Sequence, residues 1–377
     1  MGISKDNGAA IAIRLDEVEK RFSDSGEPAV RTLSLEIPRG STVALIGPSG
    51  CGKTTTLRMI NRLIRPTAGL IEIDGIDVST QPDAQLRRGI GYVIQEVGLF
   101  PHRTISQNIA TVPKMLGWDK TRIRERIEEL VDLVGLDHQM LPRYPDELSG
   151  GQQQRVGVAR ALAADPPVLL MDEPFGAVDP IVRGRLQNEL LALQARLKKT
   201  IVLVTHDIDE AIKLSDRIAL LNVGGILEQY ASPDELLRAP ANEFVEQFVG
   251  ADRSLKRLTL ATVDELTFEH GPVVERSASL AEAREAIARS PSDWFGLVDD
   301  GRFLGWADGR NLNGGSVAAL PLEQPAAVVS PGSTLREAME IIVSSSTAVA
   351  VIDDQGRFGG VVTIRQIRER LGVSESS

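Results

Sequence analysis

The chain has few of the residues that would mark a secreted or membrane-embedded protein. Of its 377 residues only Cys51 is a cysteine, and only 4% are aromatic. A single cysteine excludes a disulfide within the chain, which is consistent with a reducing compartment. No apolar run reaches the roughly 20 residues of a transmembrane helix, and the N-terminal stretch MGISKDNGAA lacks the apolar segment of a signal peptide. We therefore expect any membrane role to depend on a partner protein.

Positive charge is also scarce. Lysine and arginine total 42 against 52 aspartates and glutamates, which gives a formal net charge of −10. Nucleic-acid-binding proteins usually present a basic face, so the composition favours no nucleic-acid partner. The 42% hydrophobic and 25% charged fractions are typical of a soluble globular protein. A chain of this length suggests two or three domains.

Residues 42–63, TVALIGPSGCGKTTTLRMINRL, contain the most specific motif. After an apolar run, the spacing G-x-x-x-x-G-K-[ST] in a strand–loop–helix context predicts a phosphate-binding loop. Glycines let the backbone approach an anion closely, so that successive N–H groups surround it. We expect Lys53 to contact the β- and γ-phosphates of ATP and Thr54 to bind Mg²⁺. An ordinary glycine-rich turn is the alternative, which the context disfavours. The predicted ATP-binding residues of the loop are Gly47, Pro48, Ser49, Gly50, Cys51, Gly52, Lys53, Thr54 and Thr55.

The apolar pattern predicts two kinds of sheet. Residues 11–18 and 30–37 alternate apolar and polar side chains, which indicates antiparallel strands. Residues 168–171 and 201–204 are continuous apolar runs, which are typical of buried parallel strands. A helical pattern over 181–198 separates these two runs, and alternating strands and helices indicate a mainly parallel sheet. We expect the ligand at the carboxyl ends of its strands.

Several side chains at that edge are candidates for catalysis. Asp172 ends an apolar strand and is expected to hold Mg²⁺ directly or through water, whereas Glu173 would orient or deprotonate the attacking water. An exposed Asp-Glu pair is the alternative, but the preceding apolar strand disfavours it. Gln95 and His206 also end strands, and together they indicate sensors of the γ-phosphate and metal, with Gln95 as a further metal ligand. Phe22 follows three charged residues, and the pattern alone favours a core aromatic there.

The pattern changes after Gly250, where an internal repeat begins. Ser279-Leu-Ala-Glu282 and Thr334-Leu-Arg-Glu337 are both helix-capping boxes, 55 positions apart. Each unit is predicted to contain a helix, a strand, an Asp-Gly turn, a second strand and a second helix. Two copies indicate paired modules rather than a solenoid. The same offset pairs Ala283 with Ala338, Ile287 with Ile342, Gly301 with Gly356, Phe303 with Phe358 and Gly305 with Gly360.

The stretch LSGGQQQR (148–155) is similar to the signature motif of ABC-transporter ATPase subunits. Further stretches resemble the other motifs of that family in the same order: GPSGCGKT the Walker A motif, VIQ ending at Gln95 the Q-loop, VLLMDE (168–173) Walker B, GAVD (176–179) the D-loop and VTHD around His206 the H-loop. The D-loop departs from the usual form, because Val178 replaces leucine. The resemblance covers about residues 10–250.

This resemblance implies an α/β fold: a P-loop ABC ATPase cassette with a parallel core sheet, an antiparallel β subdomain and a helical subdomain. The repeat that follows is similar to tandem CBS modules, which are α+β. The expected domains are an ATPase domain over 1–250 and a regulatory CBS domain over 251–377, with repeats at about 265–315 and 322–371.

The resemblance also implies how the catalytic site is completed. In the family, two copies form a head-to-tail homodimer with two composite ATP sites. Ser149, Gly150, Gly151 and Gln152 would contact the γ-phosphate held by the partner copy, and Asp179 would link the two sites. Phe22 lies where the family places an aromatic residue that stacks on adenine, so the resemblance assigns it to ATP binding.

An ATPase followed by CBS modules resembles the subunits that energise import of osmoprotectants such as glycine betaine, choline, carnitine or proline. That implies integral-membrane permease partners, an extracytoplasmic solute-binding protein acting indirectly, and a peripheral location on the cytoplasmic face of the inner membrane. The cofactors would be ATP and Mg²⁺. The alternatives are an importer of another small solute, a non-transport ABC ATPase of DNA repair or translation, and a binding module in which ATP turnover is incidental.

The repeat leaves its own ligand open. Many CBS modules hold a nucleotide with a Gly-x-x-Thr-x-x-Asp ending, but the second copy has Gln366 in place of Asp, and the first has Asp308 in place of Thr. A carboxylate at 308 would repel a phosphate, which disfavours an ATP-type site. A small regulatory ligand, a response to ionic strength, and a ligand-free role in dimerisation remain open.

Overall fold

The computed structural model describes residues 10–23, 26–94, 98–176, 178–269, 271–289, 293–312, 316–322, 328–345 and 348–371. The chain divides into two compact units, Met1–Gly250 and Ala251–Ser377, which are called unit 1 and unit 2. Within the described residues, no helix combines the length and the apolar character needed to cross a membrane.

Strands and helices alternate through much of unit 1. Its described strands are β1 (Ile11–Lys20), β2 (Val30–Pro38), β3 (Thr42–Ile46), β4 (Ala68–Ile73), β5 (Ile76–Asp77), β6 (Ile90–Val93), β7 (Val168–Asp172), β8 (Thr200–Val204), β9 (Arg217–Asn222) and β10 (Ile226–Ala231). Its described helices are α1 (Lys53–Ile60), α2 (Asp83–Arg88), α3 (Ile105–Ile109), α4 (Thr111–Met115), α5 (Lys120–Leu133), α6 (Gly150–Leu162), α7 (Pro180–Leu197), α8 (Ile208–Leu214), α9 (Pro233–Arg238) and α10 (Glu243–Val249).

The central sheet of unit 1 has the strand order β10-β9-β3-β8-β7-β6. All neighbouring strands are parallel except β10, which runs antiparallel to β9. Every residue of β3, β7 and β8 is buried, because helices on both faces exclude water from a parallel sheet. Asp172 pairs with Val204 at the carboxyl end of the sheet. The prediction that residues 168–171 and 201–204 form buried strands of a parallel sheet is confirmed, and the structure shows that the two strands are neighbours.

A second sheet, of order β2-β1-β4-β5, forms the antiparallel subdomain. The alternation in β2 buries Leu33, Leu35 and Ile37, so the predicted antiparallel pairing of residues 11–18 with 30–37 is confirmed. A second apolar cluster packs α3, α5, α6 and α7 against the central sheet. In α5, apolar residues at helical spacing face this cluster. This spacing gives α5 one buried face and one exposed face.

Unit 2 contains two similar three-stranded sheets in its described part, of order β11-β12-β13 and β14-β15-β16. The strands are β11 (Val273–Glu275), β12 (Trp294–Asp299), β13 (Arg302–Asp308), β14 (Val328–Val329), β15 (Ala348–Ile352) and β16 (Phe358–Thr363). The helices are α11 (Arg253–Arg257), α12 (Leu280–Ala288), α13 (Leu335–Ser345) and α14 (Ile364–Arg370). Capping boxes precede α12 and α13, as predicted.

The two repeats meet through reciprocal hydrogen bonds. The Phe303 N–H donates to Gly356 O, and the Phe358 N–H donates to Gly301 O, both at 3.0 Å. The two phenyl rings stack with centroids 5.7 Å apart. Because equivalent residues exchange equivalent contacts, the repeats are related by an approximate two-fold axis.

The prediction that each repeat ends in an α-helix is wrong for the first copy. Directly after β13 the described chain forms a 3-10 turn, Gly309–Asn311, where the second copy forms α14. Glycine and asparagine are poor helix formers, which accounts for the difference. The turn before β16 also differs from the predicted Asp-Gly, since Gln355 precedes Gly356.

Candidate active site

The loop between β3 and α1 has the shape that its glycines predict. Gly47, Gly50 and Gly52 have φ values of 144°, 78° and 104°. A Cβ atom at position 47 would lie 2.0 Å from the Leu221 carbonyl oxygen, and one at position 52 would lie 2.6 Å from that of Ala29. Only glycine fits at these two positions without displacing backbone.

A positive charge lies against this loop. Lys53 is buried, and its Nζ atom donates to Gly47 O at 2.8 Å and to Pro48 O at 2.9 Å. The same ammonium lies 3.7 Å from the buried Sγ atom of Cys51. Gly52 caps α1 without a side-chain hydrogen bond. The loop therefore combines a lysine and a helix N-terminus, an arrangement suited to phosphate groups.

Thr54 and Asp172 meet beside the loop. The Thr54 hydroxyl donates to Asp172 Oδ1 at 2.9 Å. Burial raises the pKa of Asp172, while the Thr54 hydrogen bond and the Arg58 charge oppose that rise. A hydroxyl and a carboxylate are oxygen ligands of the kind that Mg²⁺ prefers, with water and phosphate oxygens completing its shell. These two residues therefore fit the metal that the fold family implies.

Glu173 and His206 face each other at the same edge of the sheet. His206 Nδ1 lies 3.3 Å from Glu173 Oε2. Glu173 has a φ of 45°, rare for a residue with a side chain, and its N–H donates to Val204 O at 2.9 Å. One cleft is lined by both side chains together with Ser49, Gly50, Gly52, Lys53, Thr54, Thr55 and Ala29. The structure thus brings most of the predicted hydrolytic residues into one place.

The signature residues lie in a different cleft. Ser149 caps α6, its hydroxyl accepting from the Gln152 N–H at 3.4 Å while Gln152 Oε1 accepts from the Ser149 N–H at 2.8 Å. This second cleft is lined by Ser149, Gly150, Gly151, Gln152, Asp179 and neighbouring residues. Among the described residues, the two clefts share no lining residue. Asp179 caps α7 by accepting from the Ile181 N–H at 2.9 Å.

Two of the predicted ATP-site residues have a different outcome. Gln95 lies outside the described residues, and β6 ends at Val93. Phe22 lies just after β1 and is 66% exposed, so the core position favoured by the pattern alone is wrong. Lys20 Nζ lies 5.2 Å from the centre of its ring. An exposed aromatic beside a subdomain strand is available to stack on a ligand.

Sequence reasoning missed two neighbours of Asp172. The Arg58 guanidinium lies 4.0 Å from Asp172 Oδ2, and Tyr92 lies close enough to both for their charges to affect its pKa. Burial raises the pKa of Tyr92, and the Asp172 charge adds to that rise. Arg58 follows Thr54 by four residues on α1, a spacing that places both side chains on one helix face. That spacing was the available signal.

The CBS motif residues are occupied by contacts within unit 2. Gln366 Oε1 accepts from the Thr363 N–H at 2.7 Å, and its Nε2 donates to Thr267 O at 2.6 Å. Asp308 is paired with Arg310 at 2.7 Å, and the hydrogen bond from Arg310 lowers the pKa of Asp308. The repulsion expected from Asp308 is therefore partly neutralised by its neighbour.

Two family profiles match this chain, one in unit 1 and one in unit 2. The ABC transporter family profile matches residues 30–176, and the CBS domain profile matches residues 317–373. The dimeric bacterial ABC transporter cassette MJ0796 superposes with a TM-score of 0.53 at 35% identity, covering 58% of this chain and 98% of that one. The fold and the cleft therefore define an ABC-type ATPase, an enzyme whose nucleotide is ATP.

Relatives match along nearly the whole length. The osmoprotectant import ATP-binding protein OsmV of Salmonella typhimurium is 48% identical over 367 residues, which covers 95% of this chain and 96% of that protein. The glycine betaine/carnitine/choline transport ATP-binding protein OpuCA of Bacillus subtilis is 46% identical, covering 93% and 94%. This chain belongs to the family of ABC transporter ATP-binding proteins.

Proposed function

We propose that this protein is the ATP-hydrolysing subunit of an importer for an osmoprotectant such as glycine betaine, choline, carnitine or proline. The full-length similarity to relatives named for these solutes supports the proposal. The observation that carries the enzymatic part is the single cleft that joins the phosphate loop to Glu173 and His206.

In this proposal each side chain of the cleft has one task. Lys53 and the loop N–H groups bind the phosphates, and Phe22 stacks on the adenine ring. Glu173 accepts a proton from the attacking water, while His206, 3.3 Å away, orients that carboxylate and contacts the γ-phosphate. Gln95 would sense the γ-phosphate and the metal from the neighbouring strand.

Thr54 and Asp172 would hold Mg²⁺, with Gln95 as a further ligand. When bound, the metal would neutralise charge on the β- and γ-phosphates. Burial of Asp172 in the central sheet supports this role, because a buried carboxylate requires a partner charge. Arg58 and Tyr92 would keep its second oxygen in place.

The active form would be a head-to-tail homodimer. Within one chain, Ser149 lies in a different cleft from Lys53, so the signature residues are best explained by a second copy. Ser149, Gly150, Gly151 and Gln152 would then cover the γ-phosphate bound by the partner, with Asp179 between the two sites. Permease subunits in the membrane would hold this dimer at the cytoplasmic face, and an extracytoplasmic binding protein would deliver the solute to them.

Residues 1–250 would form the nucleotide-binding domain and residues 251–377 the regulatory domain. The side chains of Thr363, Gln366 and Asp308 already have partners within unit 2. These contacts favour a module that responds to ionic strength or dimerises over one that binds a nucleotide at these positions.

Uptake of labelled glycine betaine, choline and carnitine tests this function in cells that carry the intact transport system. The native chain should support uptake at high osmolarity, and Lys53→Ala should abolish it. Affinity purification should recover a polytopic membrane protein. Recovery of ribosomes or DNA instead, with no uptake of any quaternary amine, would contradict import of these solutes.

A further inference from the structure

The turn between β9 and β10, residues 223–225, is bonded to two parts of the ATP site. The Gly225 N–H donates to the Cys51 carbonyl oxygen in the phosphate loop at 2.9 Å. The Gly224 carbonyl oxygen accepts from the Arg31 N–H in β2 at 2.6 Å. This connecting turn therefore joins the loop that holds the phosphates to the antiparallel subdomain.

The connecting turn, the phosphate loop and the start of β2 pack so closely that their glycines leave no room for a side chain. A Cβ atom at Gly225, whose φ is 68°, would lie 2.9 Å from Val30 Cα. A Cβ atom at Gly47 or Gly52 would lie closer still to backbone, at 2.0 Å from the Leu221 carbonyl oxygen and 2.6 Å from that of Ala29. Since these are contacts between backbones, a displacement of the connecting turn must move β2 relative to the phosphate loop.

The start of β2 is in turn tied to the residue beside Phe22. Val30 pairs with Lys20 across the β1–β2 ladder, and the Ala29 N–H donates to Lys20 O at 2.8 Å. Phe22 follows two residues after Lys20. The connecting turn thus lies between the aromatic residue and the phosphate loop in one continuous chain of backbone contacts.

We propose that the connecting turn is a positioning element that fixes the distance between the base subsite at Phe22 and the phosphate loop. It favours ligands in which an aromatic base is joined to a triphosphate at one particular separation. This inference rests on the proposed roles of Phe22 and of the phosphate loop. The hydrogen bonds of the turn run to Cys51 O and to Arg31 of β2, so its proposed role is to position these two elements.

The variant Gly225→Ala tests the inference through two ligands. ATP spans both subsites, whereas inorganic tripolyphosphate occupies the phosphate loop alone. We expect the Kd for ATP to rise by about tenfold or more, while the Kd for tripolyphosphate stays near that of the native chain. Isothermal titration of the full-length protein measures both.

Gly75→Ala is the matched control. Gly75 has a φ of 75° and nothing within 4 Å of a Cβ placed there, so it carries the same backbone strain without the clash. It should leave both Kd values unchanged. Asn222→Ala provides a variant without a clash, since the Asn222 side chain accepts from the Val223 N–H at 2.8 Å and donates to Glu228 at 2.7 Å. It should weaken ATP binding in the same direction by a smaller factor.

If Gly225→Ala weakens the binding of ATP and of tripolyphosphate by the same factor, the inference is overturned, because the turn would then only shape the phosphate loop. Unchanged ATP binding in Gly225→Ala and Asn222→Ala would overturn it as well. If tripolyphosphate does not compete with ATP in the native chain, or if the Phe22→Ala variant binds ATP normally, the proposed subsites themselves are wrong. Both experiments leave Gly225 unchanged, so failure of the proposed function can be distinguished from failure of the inference about the turn.

Discussion

His206 Nδ1 lies 3.3 Å from Glu173 Oε2. Glu173 directly follows β7, and His206 lies two residues beyond the end of β8 in the same parallel sheet. The Glu173 backbone is in the left-handed region, with a φ of 45°, and such strain persists where surrounding contacts impose it. The bond from its N–H to Val204 O supplies one such contact. The Glu173 backbone is therefore held in place at the edge of the sheet where the phosphate loop begins.

Replacing the carboxylate should separate binding from turnover. Glu173→Gln keeps the shape of the side chain but cannot accept a proton, so kcat should fall by about 10²- to 10⁴-fold while ATP binding persists. Phosphate release and ATP titration measure the two quantities. Glu129→Gln changes an exposed carboxylate of α5 and should leave both unchanged. Unaltered turnover in Glu173→Gln would contradict the assignment.

The ammonium group in the phosphate loop should matter for affinity. Lys53→Ala removes the charge that lies against Gly47 O and Pro48 O. Hydrogen bonds to charged groups contribute about 1.5–3 kcal/mol, so ATP binding should weaken by about tenfold or more. Lys120→Ala, at an exposed position on α5, is the control. An unchanged Kd in Lys53→Ala would exclude the phosphate-loop role.

A buried carboxylate outside the cleft should make stability depend on pH. Glu210 in α8 accepts from Gln187 Nε2 at 3.3 Å, and burial raises the pKa of Glu210 above its ordinary value of 4.5. The folded chain therefore holds this proton more tightly than the unfolded chain. As pH rises from the ordinary value through the raised one, the free energy of unfolding falls.

Glu210→Gln removes that titration, so the variant should gain stability relative to the native chain as pH rises through this window. Calorimetry at a series of pH values measures the unfolding of unit 1. Asp165→Asn is the contrasting control, because the hydrogen bond from Lys199 lowers the pKa of Asp165. The stabilisation from ionised Asp165 is present above its ordinary pKa and is lost as pH falls through the lowered pKa. Asp165→Asn should therefore be less stable than the native chain at the higher pH values. If the free energy of unfolding depends on pH in the same way for Glu210→Gln and the native chain, Glu210 does not have a raised pKa in the folded protein.

Unit 2 should control the response to salt rather than the chemistry. A chain without residues 252–377 should retain basal ATPase activity but have a different dependence of activity on ionic strength. In the full chain, Phe303→Ala removes one ring of the stacked pair, whose centroids are 5.7 Å apart, and should shift the salt curve in the same direction. Superimposable curves for all three proteins would exclude a sensory role.

Local rules account for what the sequence predicted well. The capping boxes at Ser279 and Thr334 and the glycine turns depend on residues only a few positions apart, and each forms as expected. The 55-residue offset between the repeats was also evident in the sequence. The structure agrees with it, since the equivalent residues Gly305 and Gly360 have similar φ values of 151° and 145°. These features need no knowledge of distant contacts.

Tertiary contacts account for the features that the sequence did not predict. The exposure of Phe22 depends on which strands of the subdomain lie beside it, and no periodicity reports that. The hydrogen bond between Thr54 and Asp172 spans 118 positions, so the sequence predicted a shared metal role for these residues but not this contact. The pair Gln187–Glu210 joins two helices whose packing fixes the contact. The first repeat lost its closing helix where glycine and asparagine occupy the position.

The central claim is that each ATP site is built by one chain and completed by another. Mixing Lys53→Ala with Ser149→Arg tests it most directly. Either variant alone should be inactive, because every site lacks either the phosphate-loop lysine or the signature serine. In the mixed dimer, one site combines an intact Lys53 with an intact Ser149 from the partner, so ATPase activity should return on mixing. A mixture as inactive as its components would contradict the composite site.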